Sequence, residues 1–132
     1  MTEPTPADAY TVAAIKHVSF VVLGEPIPKA RARVTAHGTY TPQRVKEWEE
    51  AVGWTYRQLR GMMFHGSVQV VMRFYRKSRR RVDLSNLVKC VEDGLNGVAW
   101  GDDSQIKHLE AEVRQDGDNP RVEVEIEPWR AG

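Results

Sequence analysis

Between Ser67 and Asn96 the apolar residues change from a period of two to a helical period, and few folds accommodate that change. Val68, Val70, Met72 and Phe74 alternate with Gln69, Val71, Arg73 and Tyr75, which predicts a strand from about Ser67 to Arg76. A basic loop, Lys77 to Arg81, leads into a predicted helix from Asp83 to Asn96, closed by Gly97. Its Leu84, Leu87, Val88, Val91 and Leu95 fall within an arc of about 100° at 3.6 residues per turn. A strand feeding such a helix requires a sheet on which the helix can bury that arc.

The rest of the chain supplies the partners. Val18, Phe20 and Val22 alternate with Ser19, Val21 and Leu23 and predict a well-buried strand ending at Gly24. Glu25-Pro26-Ile27-Pro28 cannot be helical, because each proline holds the residue before it extended. Lys29 to Val34 alternate basic and apolar, Ala36-His37-Gly38 turns, and Thr39-Tyr40 extends again, as in a short hairpin. Thr41 as N-cap and Pro42 at the first position begin a helix whose Val45, Trp48, Val52, Tyr56 and Leu59 share one face. Gly61 stops it. Two further strands are predicted, Ile106 to Val113 and Arg121 to Ile126, with the turn between them at Gly117 to Pro120. Residues 1–16 hold two prolines and no sustained period, so they read as a flexible N-terminal tail before a single domain over 17–132. The expectation is a two-layer α+β domain, a small mixed β-sheet with two amphipathic helices. At 132 residues the chain is long enough to bury such a core.

No stretch approaches the ~20 apolar residues that a membrane span needs, and the N-terminus lacks a basic-then-apolar leader. The lone Cys90 excludes an internal disulfide and a multi-cysteine zinc site, and points to a reducing, cytoplasmic setting. A formal charge of +1 looks unfavourable for a nucleic-acid partner, but the charges are segregated. Residues 17–89 carry fourteen Lys and Arg against five acids, whereas residues 90–132 carry four against eleven. That asymmetry points to a polyanion. Arg73 to Arg81 holds six basic residues in nine, a density that favours phosphate contact at Arg76, Lys77, Arg79, Arg80 and Arg81. Lys29, Arg31 and Arg33 are a weaker basic set, since alternating basic residues on an edge strand also deter aggregation.

The chemistry gathers around the second helix. Asp83 stands at its mouth, and Asn86, Lys89 and Asp93 lie within about 60° of one another, opposite the apolar face. Asp102-Asp103 follow five residues after Gly97, close enough for a return beside that set. Hard carboxylate oxygens suit Mg²⁺, or Mn²⁺, which accepts one or two carboxylates plus phosphate oxygens. A lysine beside such an ion stabilises negative charge in phosphodiester hydrolysis. Each residue also has a plainer reading. Asp83 suits an N-cap, Lys89 and Asp93 a solvated i,i+4 pair, and Asp102-Asp103 a turn. The four histidines have no ligand-like spacing, Cys90 and Trp48 read as packing, and Trp54 stays undecided between core and base stacking.

At these residues the sequence resembles the RusA family of Holliday junction resolvases. Asp83-Leu84-Ser85-Asn86-Leu87-Val88-Lys89, then Asp93, then Asp102-Asp103-Ser104-Gln105 follow the family's order and separation. Gly24 to Arg33 and Tyr40-Thr41-Pro42 are also similar to it. The resemblance implies a RusA-like nuclease domain acting as a Mg²⁺-dependent homodimer on branched DNA, the four-way junction above all. Each subunit is then expected to cut one of two symmetry-related strands, in recombination and repair. By position it implies Asp83 and Asp103 as metal ligands with Asp102 beside them, Lys89 as a catalytic or phosphate-contacting lysine, and Asn86 and Asp93 as supports. Two departures stand out. Ser85 takes the place of a motif aspartate and is a neutral, weaker donor, and Val82 stands where an arginine is expected. Ser85 keeps a rival open, a junction-binding protein with weak or no cleavage. A third reading is a general nucleic-acid-binding module whose acids are only caps and turns.

Overall fold

Four strands form a mixed sheet with two helices against one of its faces. The computed structural model describes residues 17–30, 33–36, 38–59 and 61–130. In chain order the elements are β1 (Val18–Leu23), β2 (Arg33–Thr35), β3 (Gly38–Tyr40), α1 (Gln43–Gln58), β4 (Val68–Arg76), α2 (Leu84–Leu95), β5 (Ile106–Gln115) and β6 (Arg121–Pro128). The sheet order is β1-β6-β4-β5, and β2 with β3 makes a separate small hairpin. This is the expected two-layer α+β arrangement. The tail expected over residues 1–16 lies outside the described residues.

The alternation of β4 shows why it occupies the centre. Val68, Val70, Met72, Phe74 and Arg76 are buried and the residues between them half-buried, so both faces of the strand are at least partly covered. The inward row meets Val122, Val124 and Ile126 of β6, Phe20 and Val22 of β1, and the apolar faces of both helices in one core. α1 contributes Val45, Trp48, Val52 and Tyr56, and α2 contributes Leu87, Val88, Cys90, Val91 and Leu95. Trp48 is therefore core, whereas Trp54 is 61% exposed. Burial pushes the Cys90 thiol up to about 12, which suits a packing role. The helices approach closely where they lack side chains: a Cβ at Gly53 would lie 2.7 Å from the Gly94 carbonyl oxygen. Trp100, fully buried, secures the chain beyond α2 by donating from Nε1 to Asn96 Oδ1 at 2.8 Å.

One local expectation is corrected, and the turn expected at Gly117–Pro120 is present. Pro42 itself is the N-cap of α1 and provides no side-chain cap bond, so the helix starts one residue later than Thr41-Pro42 suggests. The Gly117–Pro120 turn joins strands that are not neighbours. β5 pairs with β4 in parallel, and β6 pairs with the opposite edge of β4 in antiparallel sense. The connection therefore steps across the end of β4, where Asp116 N–H donates to the Arg76 carbonyl at 2.9 Å. Asp116 Oδ1 gathers the turn by accepting from the amides of Asp118 and Asn119. The topology puts α2 in the β4-to-β5 crossover, which brings the start of β5 back alongside that helix.

Candidate active site

Asp83 is the N-cap of α2. Its Oδ1 accepts from the Ser85 amide at 3.0 Å and from the Ser85 hydroxyl at 2.7 Å. The capping role is therefore present, and it leaves the residue exposed at the helix mouth, where a carboxylate is also favoured by the helix dipole. Ser85 does not add a second carboxylate there. It spends its hydroxyl on the first.

Six residues further on, about 9 Å of helix rise, Lys89 meets the loop that returns from α2. Its Nζ lies 3.2 Å from Asp103 Oδ2 and 3.4 Å from Asp93 Oδ1. The hydrogen bond to Asp103, against the opposing effect of burial, holds the Lys89 ammonium above its ordinary pKa, with Asp93 adding to it. Asp93 is shared: its Oδ2 lies 3.0 Å from Lys29 Nζ, which also reaches Glu49 Oε1 of α1 at 2.6 Å. Burial works against the Lys29 charge, but its bonds to Glu49 and Asp93 outweigh burial and raise its pKa. Glu49, Lys29, Asp93, Lys89 and Asp103 thus form a chain of alternating charge that ends at the exposed rim of α2. Asn86 is exposed on the same side, and its backbone carbonyl accepts from the Lys29 amide at 2.8 Å.

The Asp102-Asp103 segment is a single 3-10 turn over Asp103–Gln105 with Asp102 as its N-cap, closed by a capping box. Asp102 Oδ2 accepts from the Ser104 amide at 3.1 Å. Hydrogen bonds from Ser104, with a contribution from the nearby Lys89 charge, hold the Asp102 carboxyl below its ordinary range. Gln105 ties the turn down from both ends of its amide. Its Oε1 accepts from Gly101 N–H at 2.8 Å and Asp102 N–H at 3.3 Å. Its Nε2 donates to the carbonyls of Phe64 at 2.8 Å and Gly66 at 2.9 Å. Gln105 was not among the expected site residues, although its three-residue spacing from Asp102 is the sequence signal of that box. Glu92 was also overlooked. Burial, reinforced by the charges of Asp103 and Asp93 and opposed by Lys89, raises its carboxyl pKa, so it shares the field of this site. Its signal was the i,i+3 step from Lys89.

The residues expected at the phosphate surface divide. Lys77, Arg79, Arg80 and Arg81 are exposed. Arg76 is instead 8% exposed: Nη1 donates to the Arg80 carbonyl at 3.2 Å and Nη2 lies 3.9 Å from Glu25. Inward alternation along β4 buries it. Lys29 is likewise committed, to Glu49 and Asp93. Arg31 lies outside the described residues, and Arg33 is placed by its backbone, in β2. Glu25 organises the basic loop, since its two oxygens accept from the amides of Lys77 at 2.7 Å and Ser78 at 2.9 Å. On the sheet face away from the helices, Glu125 pairs with Arg73 at 2.7 Å and Glu123 with Arg121 at 3.0 Å. The last strand's acids are therefore partly neutralised where they stand.

The family model for endodeoxyribonuclease RusA matches residues 24–127. The chain belongs to the RusA family. Comparison with curated proteins gives no significant match. The matched span contains all of the charge chain from Lys29 to Asp103, and membership brings endodeoxyribonuclease activity in general. Among the described residues, no helix is long and apolar enough to cross a membrane.

The donors of this RusA-family site are carboxylates and a hydroxyl, with no imidazole or thiolate among them, and that chemistry fits a hard dication. Among the described residues, no three His, Cys, Asp or Glu side chains stand close enough together to hold a metal ion. A protein cage of three ligands is thus not what the described residues offer. Mg²⁺ is commonly held by one or two carboxylates and completed by water and substrate phosphate.

Proposed function

We propose that the protein is a metal-dependent, structure-selective endodeoxyribonuclease that resolves four-way DNA junctions by paired phosphodiester hydrolysis. The observation that carries this reading is Lys89, a cation held between Asp103 and Asp93 on the exposed side of α2, in the same helix that Asp83 caps. Mg²⁺, or Mn²⁺, held through Asp83 and Asp103, with Asp102 beside them, would supply polarisation of the scissile phosphate and a more acidic water. The protein's own contributions are separate. Lys89 stays protonated through neutral pH and offers positive charge where the phosphate gains negative charge. Asp93, anchored by Lys29, limits where the ammonium can swing. Gln105 fixes the turn that carries Asp103. Lys77, Arg79, Arg80 and Arg81 provide the exposed surface for DNA phosphates.

A homodimer suits this substrate, because the twofold symmetry of two identical subunits matches the near-twofold symmetry of a junction with two strands to cut. With its single cysteine buried and unpaired, the chain also suits a reducing compartment such as the cytoplasm.

The test is a labelled four-way junction incubated with Mg²⁺, with Mn²⁺ and with EDTA. Symmetric nicks that require metal and vanish in Asp83→Asn and Asp103→Asn support resolution. One observation favours the second reading, a junction-binding protein with weak cleavage: the Ser85 hydroxyl is bonded to Asp83 and brings no charge of its own. Tight junction binding without product in either metal would establish that reading in place of the first.

A further inference from the structure

A second basic feature lies on the other side of Asp83. A surface cavity of about 300 Å³ is lined by Arg76, Arg80 and Arg81 from the end of β4 and its loop, by Val82, and by Arg114 and Gln115 from the end of β5. Four arginines are among the lining residues and no acid is. The nearest acids sit outside the lining, Glu25 at 3.9 Å from Arg76 and Glu112 at 3.2 Å from Arg114. Among the described residues, the side chains of Arg80 and Arg81 have no acidic partner, and both are exposed. Arg76 Nε is buried without a hydrogen-bond partner. An unpaired donor on a buried cation is costly, so the chain here keeps a polar group that it does not itself satisfy. Four arginines around one cavity, two of them without an acidic partner and a third with an orphaned donor, describe an anion site.

From this we infer that the cavity is a seat for one DNA backbone phosphate, with Arg114 as a phosphate-binding residue contributed by the acidic third of the chain. The inference rests on the nuclease reading for its DNA partner and adds the place where the strand is gripped. Val82 lines the cavity and is bonded to Asp83, so the seat lies directly beside the helix mouth. A strand carries a phosphate about every 3.4 Å of duplex axis, so a phosphate seated here leaves another within reach of Asp83. Arg80 and Arg81 thereby do more than raise a general positive field, and Arg114 gains a role that its own acidic surroundings conceal.

Binding of a labelled four-way junction in EDTA, followed over a range of salt concentrations, tests the inference without cleavage. The variants are Arg114→Gln, on an exposed side chain, and Lys107→Gln, an exposed lysine of the same strand outside the cavity. Arg114→Gln is expected to weaken binding about tenfold and to lower the slope of log affinity against log salt by roughly one. Its unfolding midpoint should match wild type. Lys107→Gln should leave the slope unchanged. An unaltered slope in Arg114→Gln, or equal losses in both variants, would overturn the phosphate seat, the second result by showing only a diffuse effect of charge. A protein whose slope falls as expected but which cuts no junction with Mg²⁺ or Mn²⁺ would lose the nuclease reading and keep the seat.

Discussion

Lys29 Nζ lies 3.0 Å from one carboxylate oxygen of Asp93, and the other oxygen of that carboxylate lies 3.4 Å from Lys89 Nζ. One acid therefore stands between two lysines, and the first lysine governs how strongly it attracts the second. Removing the Lys29 charge, as in Lys29→Met, leaves Lys89 as the only cation on Asp93 and draws it away from Asp103. Junction cleavage is expected to slow while junction affinity in EDTA changes little. Glu49 and Asp93, both mostly buried, also lose a partner, so unfolding in urea should show a loss of about 2 kcal/mol. Lys29→Arg, which keeps the charge, should restore much of both. A full cleavage rate in Lys29→Met would show that Lys89 is positioned without this relay.

Ser85 lends itself to a metal titration. Its hydroxyl and amide both donate to Asp83 Oδ1. Ser85→Asp places a second carboxylate at the mouth of α2, which attracts a dication more strongly but repels Asp83 when none is bound. The Mg²⁺ concentration for half-maximal cleavage should fall, and the metal-free protein should unfold at a slightly lower temperature than wild type. An unchanged metal titration would place position 85 outside the metal's coordination.

Some of this architecture is written in the sequence and some is not. One-sided burial leaves a period, so Val68 to Phe74 and Leu84 to Leu95 announce their elements, and the spacing of Asn86, Lys89 and Asp93 announces a shared side. Pairing across the sheet leaves no such local mark. The Gly117–Pro120 turn is legible, but not that β4 lies between the two strands it joins, because the helical crossover has already paired β5 with β4 in parallel. The same holds at the site. Lys29 and Glu25 read as part of a basic and proline-rich stretch, and only the folded chain brings one to Asp93 and the other to the Lys77 and Ser78 amides. Arg114 sits among acids in a weakly alternating strand and gives no sign of the three other arginines it faces.

The pKa of Lys89 is a direct probe of its pairing. Its folded-state pKa is raised above the ordinary lysine value of 10.5, foremost by the hydrogen bond to Asp103. For a raised lysine, the stabilisation is fully present below the unfolded pKa and is lost as pH rises through the folded value. The Lys89–Asp103 link should therefore persist through neutral and mildly alkaline pH and fade only above about 10.5. An NMR titration of the Lys89 side chain should place its midpoint above the ordinary lysine value, and Asp103→Asn should bring it down. A Lys89 midpoint that does not move in Asp103→Asn would remove Asp103 as its main partner.

Gln105 separates placement of the acid turn from its charge. Its side-chain amide joins the backbone of Gly101 and Asp102 to that of Phe64 and Gly66, so one neutral group fixes the approach of Asp103 to Lys89. Gln105→Leu preserves size and removes all four bonds. No charge leaves the site, so junction affinity in EDTA should stay within about twofold of wild type, an energy difference below RT. Stability should fall by about 1–3 kcal/mol, as partly buried carbonyls and amides lose their partner. Cleavage should fall about tenfold or more, since a carboxylate displaced by an ångström would no longer hold a cation in place beside the reacting phosphate. Gln105→Glu keeps the acceptor for Gly101 and Asp102 but loses the donor to Phe64 and Gly66, and should lie between the two. Equal cleavage in wild type and Gln105→Leu, with the protein folded, would mean that Lys89 alone holds Asp103 in place.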